Sequence, residues 1–298
     1  MLESLSRCAR LDECSLHIYC DGPKHPEQLN DVEPSRQVVR QWARRLGGKV
    51  IERETNLGLA RSIVSGVTEL CEKYGRVIVL EDDLVLNALF LDFMIQALDH
   101  YEHEPKVYQI SGYMFPVEHP AKPDAFFLPM TTTWGWATWN RAWRVFDWDA
   151  SDAREALRDP GVRQRFDLDN SHTCSAMLED RLKGLNDSWG ILFWWAVFKT
   201  GGLVLHPRRS LVSNVGFDGS GTHCGDRAWS NQPLSEVTPE EHHHKLFALP
   251  EKVTCDDAAF RKIKRFLRQQ ERPTLTSRVW LKLERMKQLL GNSPRGVN

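Results

Sequence analysis

Short apolar runs alternate with longer segments of helical periodicity along most of this 298-residue chain. Residues 2–10 form a short helix candidate, and Leu16-His17-Ile18-Tyr19-Cys20 reads as a strand that ends at the turn signal Asp21-Gly22-Pro23. Pro34 to Leu46 carries Val38, Val39, Trp42 and Leu46 at helical spacing, and Lys49 to Arg53 is a short strand. Asn56-Leu57-Gly58-Leu59 opens a helix to about Tyr74 with Ile63, Val67, Leu70 and Cys71 inward. Val77-Ile78-Val79-Leu80 follows without polar alternation, so it reads as a central strand buried on both faces. This β-α-β-α-β order with short connections predicts an α/β fold around a right-handed, mostly parallel sheet flanked by helices.

The second half is more irregular. Residues 89–101 predict an amphipathic helix through Leu89, Phe93 and Leu98, and residues 107–113 predict a strand. A short extended piece at 126–129 precedes Thr131-Thr132-Thr133-Trp134-Gly135-Trp136-Ala137-Thr138-Trp139. Residues 151–168 read as a charged helix, and 189–199 as a buried, tryptophan-rich helix ended by Gly201-Gly202. Leu203 to Pro207 is a strand, and residues 213–223 form a glycine-rich loop. Residues 1–250 read as one domain and 251–298 as a tail. From Ala258 to Leu290 the tail has ten basic against two acidic residues, and Phe260, Ile263, Phe266 and Leu267 share one helical face. A basic amphipathic helix of this kind either touches an anionic membrane surface or is a peripheral helix with a solvated basic face.

Composition narrows the field. With 39 basic and 40 acidic residues the chain is not a globally basic nucleic-acid binder. Seven cysteines include no C-x-x-C pair and read as reduced thiols. No apolar run is long enough to span a bilayer and no signal peptide is apparent, so the expectation is a cytoplasmic protein, peripheral to the inner membrane if the tail binds lipid.

Chemistry concentrates at Glu81-Asp82-Asp83, three carboxylates ending an apolar strand. In open α/β sheets ligands lie off the carboxyl ends of strands, and clustered acids there need a cation or a solvated mouth. Hard oxygens suit Mg²⁺ or Mn²⁺, with one or two protein ligands and the rest from substrate phosphate and water. The alternative is an ordinary acidic turn. Asp21 ends an earlier strand in the same way.

Together these residues resemble the GT-A (Rossmann-like) glycosyltransferases, and the triplet is most similar to the Glu-Asp-Asp of N-acetylglucosaminyltransferase I. Trp134 to Trp139, and Ser213-Asn214-Val215-Gly216-Phe217 with Thr222-His223, resemble bacterial glycosyltransferase-like proteins, some labelled haemolysin-related. The likeness covers roughly residues 12–250. It implies Asp83 as the metal ligand, Asp82 near the ribose or a metal-bound water, and Glu81 at the donor sugar. It further implies Asp21 at the uracil ring, and Arg61, on the helix opened by Asn56, at the nucleotide. Arg61 reads equally as a solvated helix residue. Trp134-Gly135-Trp136 also resembles the Trp-Gly-Trp-Gly stretch of β-1,4-galactosyltransferases, with glycine admitting close backbone approach and tryptophan facing a sugar ring. The alternative is a packing cluster.

Asp187, before the tryptophan-rich helix, is the expected general base, with Glu179 and Asp180 in reserve; Asp187 also suits a helix N-cap. His223 is a candidate for the metal shell or the diphosphate, whereas His242-His243-His244 reads as an exposed loop. The expectation is therefore an inverting, metal-dependent transfer from a UDP-sugar, N-acetylglucosamine as first choice, to a glycan or lipid-linked precursor in polysaccharide biosynthesis. Rival readings are an inactive carbohydrate-binding or membrane-associated partner protein, or a nucleotidyltransferase. One departure stands out: the chain opens on the helix that follows the first strand of that fold.

Overall fold

The computed structural model describes residues 1–119, 123–216, 233–234 and 246–270. The first half runs α1 (Leu2–Leu5), β1 (His17–Cys20), α2 (Leu29–Leu46), β2 (Lys49–Glu52), α3 (Leu59–Tyr74), β3 (Arg76–Val79), β4 (Leu84–Leu86) and α4 (Phe90–His100). It continues through β5 (Val107–Ser111), β6 (Ala125–Leu128), β7 (Trp136–Trp139), α5 (Asn140–Trp143), α6 (Ala153–Ala156), α7 (Pro160–Phe166) and α8 (Cys174–Leu182). The last described elements are α9 (Trp189–Thr200), β8 (Leu203–Pro207), β9 (Val212–Asn214) and α10 (Asp257–Gln270).

The architecture is α/β, but the sheets are mixed. Strands β1 and β2 pair in parallel as a separate ladder, while the largest sheet has the order β3-β7-β5-β8-β6. Within it only β5 and β8 are parallel; β7 runs antiparallel to both β3 and β5, and β6 antiparallel to β8. Strands β4 and β9 form a third, antiparallel ladder. The expectation of a mostly parallel sheet is corrected accordingly. Its source was the β-α-β-α-β opening, which says nothing of the reversal that returns Trp136–Trp139 against β3.

The strand before the acids also differs from its expectation. It lies at the edge of the large sheet, and Val77, Ile78 and Leu80 are only half-buried. An unbroken apolar run with one neighbour and a helix on one face looks the same in sequence as a central strand. Helix α2 is rotated too: Val38 is exposed, whereas Arg36 and Ala43 are buried. Arg36 earns its place inside by donating to the Arg53 carbonyl at 2.5 Å and the Asp21 carbonyl at 3.4 Å, which ties α2 to the ends of β2 and β1. The charged stretch 151–168 is two short helices, because the Asp159 side chain accepts from the Gly161 and Val162 N–H groups and Pro160 starts α7 anew.

The core is built on α4, whose Phe90, Phe93 and Met94 are fully buried. Each such side chain contributes about 1.5–3 kcal/mol of transfer free energy. Helix α10 joins that core through Ala259, Ile263 and Leu267, and the Asp256 N–H donates to Phe127 of β6. Residues 271–298 lie outside the described residues, as does the second half of the basic face.

Candidate functional site at the end of β3

Antiparallel pairing places the C-terminal end of β3 beside the N-terminal end of β7, with Val79 opposite Trp136. The Glu81–Asp83 turn and Trp134–Gly135 therefore leave the sheet at the same end. Gly75, at φ +80°, reverses the chain between α3 and β3, which returns the N terminus of α3 to that end too. Asp21, at the end of β1, meets that N terminus.

Asp83 is gripped by β9 and the residues after it. The Val215 N–H donates to the Asp83 carbonyl at 3.0 Å, and Asn214 accepts from the Gly216 N–H at 2.8 Å. A Cβ on Gly216 would sit 2.6 Å from Asp83 Oδ2, so a larger residue there would displace the carboxylate. Burial raises the Asp83 carboxyl above the usual range, a hydrogen bond from Asn214 lowers it, and Asp82 raises it again. Asp83 Oδ1 is buried with no hydrogen-bond partner among the described residues. Half-buried Glu81 is pushed up to about 7, first by burial and then by Asp83 and Asp82. Asp82 is exposed.

One feature suits a divalent ion: among the described residues Asp83 Oδ1 is buried without a partner, and neither Glu81 nor Asp82 is ion-paired. Among the described residues no group of three or more His, Cys, Asp or Glu converges as a metal cage. Asp83, assisted by a neighbouring acid, would hold Mg²⁺ or Mn²⁺, leaving most of the coordination sphere to substrate and water. His223 lies outside the described residues, as do His242–His244.

Asp21 is differently employed. Its carboxylate accepts from the N–H groups of Leu57 (2.9 Å) and Gly58 (3.0 Å), while Asn56 donates to the Gly22 carbonyl at 3.0 Å and accepts from Gly58. Together they clamp the β1 loop to the start of α3, which gives Asp21 a positioning role. Asp187 is met at this clamp: a Cβ on Gly58 would lie 3.7 Å from Asp187 Oδ2. Ser188 caps α9 by accepting from the Ile191 N–H, so the exposed Asp187 carboxylate has no capping duty, and it makes no hydrogen bond among the described residues. The reserves are paired elsewhere, Glu179 with Arg163 and Asp180 with Lys183.

The Trp-Gly-Trp segment divides in two. Trp136 is fully buried and stacks on Trp189 with ring centroids 5.3 Å apart, so it presents no face to a sugar. Gly135, at φ +57°, accepts from the Gly112 N–H at 2.6 Å, and a Cβ there would meet Val212 at 2.8 Å. Its smallness serves the packing of three strand ends rather than an approach to substrate. The expectation of sugar contact is corrected for both; Trp134, half-buried against Tyr113, is the one of the three with exposed surface. Thr133 completes the ring by packing 2.7 Å from where a Cβ of Gly190 would lie.

Sequence reasoning assigned no role to Arg181 and Trp148. Exposed Arg61 and half-buried Arg181 both lie over the Trp148 ring, at 5.9 and 4.9 Å from its centroid. No spacing rule links positions on α3, α8 and the loop after α5. A separate cavity of about 700 Å³, lined by Trp194, Trp195, Phe198 and Phe260, shares no residue with this site. No protein-family model matches the chain, and no curated protein matches it.

Proposed function

We propose that this chain is a metal-dependent, inverting glycosyltransferase of the GT-A type that uses a UDP-sugar, with N-acetylglucosamine as the first donor to test. The observation that carries the reading is the half-buried Asp83 carboxylate, whose buried Oδ1 has no partner among the described residues and which lies against Gly216 beside two further acids. A divalent ion, when bound, neutralises the charge growing on the departing nucleoside diphosphate. The chain's own residues do the rest. Asn214 and Val215 hold Asp83 in place, and Glu81 faces the donor sugar. Asp187 takes the proton from the acceptor hydroxyl as that oxygen bonds to the anomeric carbon and the bond to the diphosphate breaks.

An amphipathic, lipid-linked acceptor is supported by Leu59, Leu185 and Val215. These are exposed by 46, 71 and 43%; Leu59 and Val215 adjoin Gly58 and Gly216 in the chain, and Leu185 lies two residues before Asp187. Arg261 and Arg265 on the outer face of α10 are exposed and have no ion pair among the described residues, which supports contact with an anionic membrane. No helix among the described residues is long and apolar enough to cross a membrane. One observation favours a second reading, an inactive carbohydrate-binding partner protein: Asp21 and Asn56 are engaged with backbone groups.

Calorimetric titration of UDP with and without Mn²⁺ separates the two. Manganese-dependent binding by the wild type and its loss in Asp83→Ala are expected. Absence of UDP binding under either condition contradicts the transferase reading.

A further inference from the structure

We propose that Arg61, Arg181 and Trp148 form an oxyanion-recognition site beside Asp187, one that takes a phosphate or diphosphate group. Arg61 projects from the first turn of α3 and Arg181 from the last turn of α8, two helices far apart in sequence. Both guanidinium groups lie over one indole, so their central carbons are within about 11 Å, the sum of the two distances at most. That indole is supported by other rings: Trp148 packs on Phe146, which stacks on Trp143 at 4.7 Å.

Neither arginine has a salt bridge or a side-chain hydrogen bond among the described residues, and Arg181 Nε is buried without a partner. Most other half-buried arginines here are satisfied, as Arg40 is by Glu33 and Glu52, and Arg141 by three backbone carbonyls. Two unpaired guanidinium forks on a rigid aromatic plane match the planar, multidentate chemistry of phosphate recognition.

The site adjoins the candidate base through short tethers. Arg61 is three residues from Gly58, which meets Asp187, and residues 183–186 connect α8 to Asp187. Asn186 holds that connection close by donating to the Met177 carbonyl at 3.0 Å. The oxyanion would belong to the donor's diphosphate or to a phosphate on the acceptor; only this choice of source rests on the transferase reading.

The test is calorimetric titration of inorganic pyrophosphate at low ionic strength with EDTA present, which removes any divalent ion from the Asp83 region. Wild type is expected to bind, and Arg181→Gln and Arg61→Gln each to bind at least tenfold more weakly. Arg181→Lys, which keeps charge without the planar fork, should fall between. Arg158→Gln, at an exposed arginine paired with Glu155, should bind as the wild type does. Circular dichroism verifies the fold of each variant, and the exposed Arg61 carries the test if Arg181→Gln does not fold.

UDP titration with Mn²⁺ then assigns the source. A tenfold loss in Arg181→Gln points to the donor diphosphate, and unchanged UDP affinity beside weakened pyrophosphate binding points to the acceptor. The proposal is overturned if wild type does not bind pyrophosphate, if Arg61→Gln and Arg181→Gln bind it as wild type does, or if Arg158→Gln loses as much. Because these titrations contain no metal and no nucleotide, they stand or fall separately from the manganese-dependent binding of UDP.

Discussion

Asp21 and Asp83 both terminate short apolar strands, one at the end of β1 and the other just beyond β3, and the folded chain treats them in opposite ways. At the β1 loop, backbone N–H groups of Leu57 and Gly58 converge on Asp21 and satisfy it. At the β3–β4 turn, Asp83 is pressed against Gly216 with Oδ1 unpartnered and two acids alongside. A satisfied buried carboxylate stabilises its loop, whereas an unsatisfied one destabilises the protein until something positive arrives. The difference separates a structural acid from a poised one, and a strand-end aspartate alone does not reveal it.

The comparison can be pressed by substitution. The largest effect is expected at the acid that meets the Asp21 clamp through Gly58. Asp187→Asn should lower turnover of the UDP-sugar by about 10²–10⁴-fold while leaving UDP affinity intact, since it removes a proton acceptor and no binding contact. An equal loss of UDP affinity would show that Asp187 holds the donor instead. Beneath the acidic turn, Trp136→Ala should cost about 3–5 kcal/mol in denaturant unfolding, as expected for a fully buried aromatic. If Trp136 served a sugar, the loss would instead appear in ligand binding.

Titration separates the poised region from the rest of the core. Glu81 is raised from 4.5 to about 7, so the folded state holds a proton that the unfolded chain has released, and stability falls as pH rises through that window. Fully buried His206 is lowered from 6.5 to about 4 by burial, so stability falls as pH drops through the window between those values. The two slopes oppose each other in the wild type. Relative to it, Glu81→Gln should gain about 3 kcal/mol between pH 4.5 and 7 without added metal, measured by urea unfolding. A constant difference across that range would contradict the acidic-cluster account. The smallest effect is assigned to the satisfied acid: Asp21→Ala should lose about 1–3 kcal/mol of stability, the cost of leaving loop N–H groups unpaired.

Much of this was legible in the sequence where local rules dominate. The α9 helix with its Gly201 cap, the β8 strand and the apolar face of α10 all follow from periodicity and capping. Long-range pairing was not legible. Nothing local distinguishes an edge strand from a central one at Val77–Leu80, or shows that Trp136 turns inward onto Trp189 while Trp134 stays half-exposed. The acidic turn was legible as a candidate because three adjacent carboxylates at a strand end stand out in sequence. The uneven fates of Asp21 and Asp83 were not, because they depend on which backbone N–H groups fold onto each carboxylate. Arg181 and Trp148 were invisible for the same reason, their meeting with Arg61 being a product of tertiary packing.

Binding of Mn²⁺ followed by electron paramagnetic resonance, with UDP present, tests the central claim most directly on wild type, Asp83→Asn and Asp21→Asn. The free-ion signal should be depleted by wild type and by Asp21→Asn, and left undiminished by Asp83→Asn. Depletion by Asp83→Asn equal to that of wild type, or its loss in Asp21→Asn alone, would contradict the assignment of the poised acid.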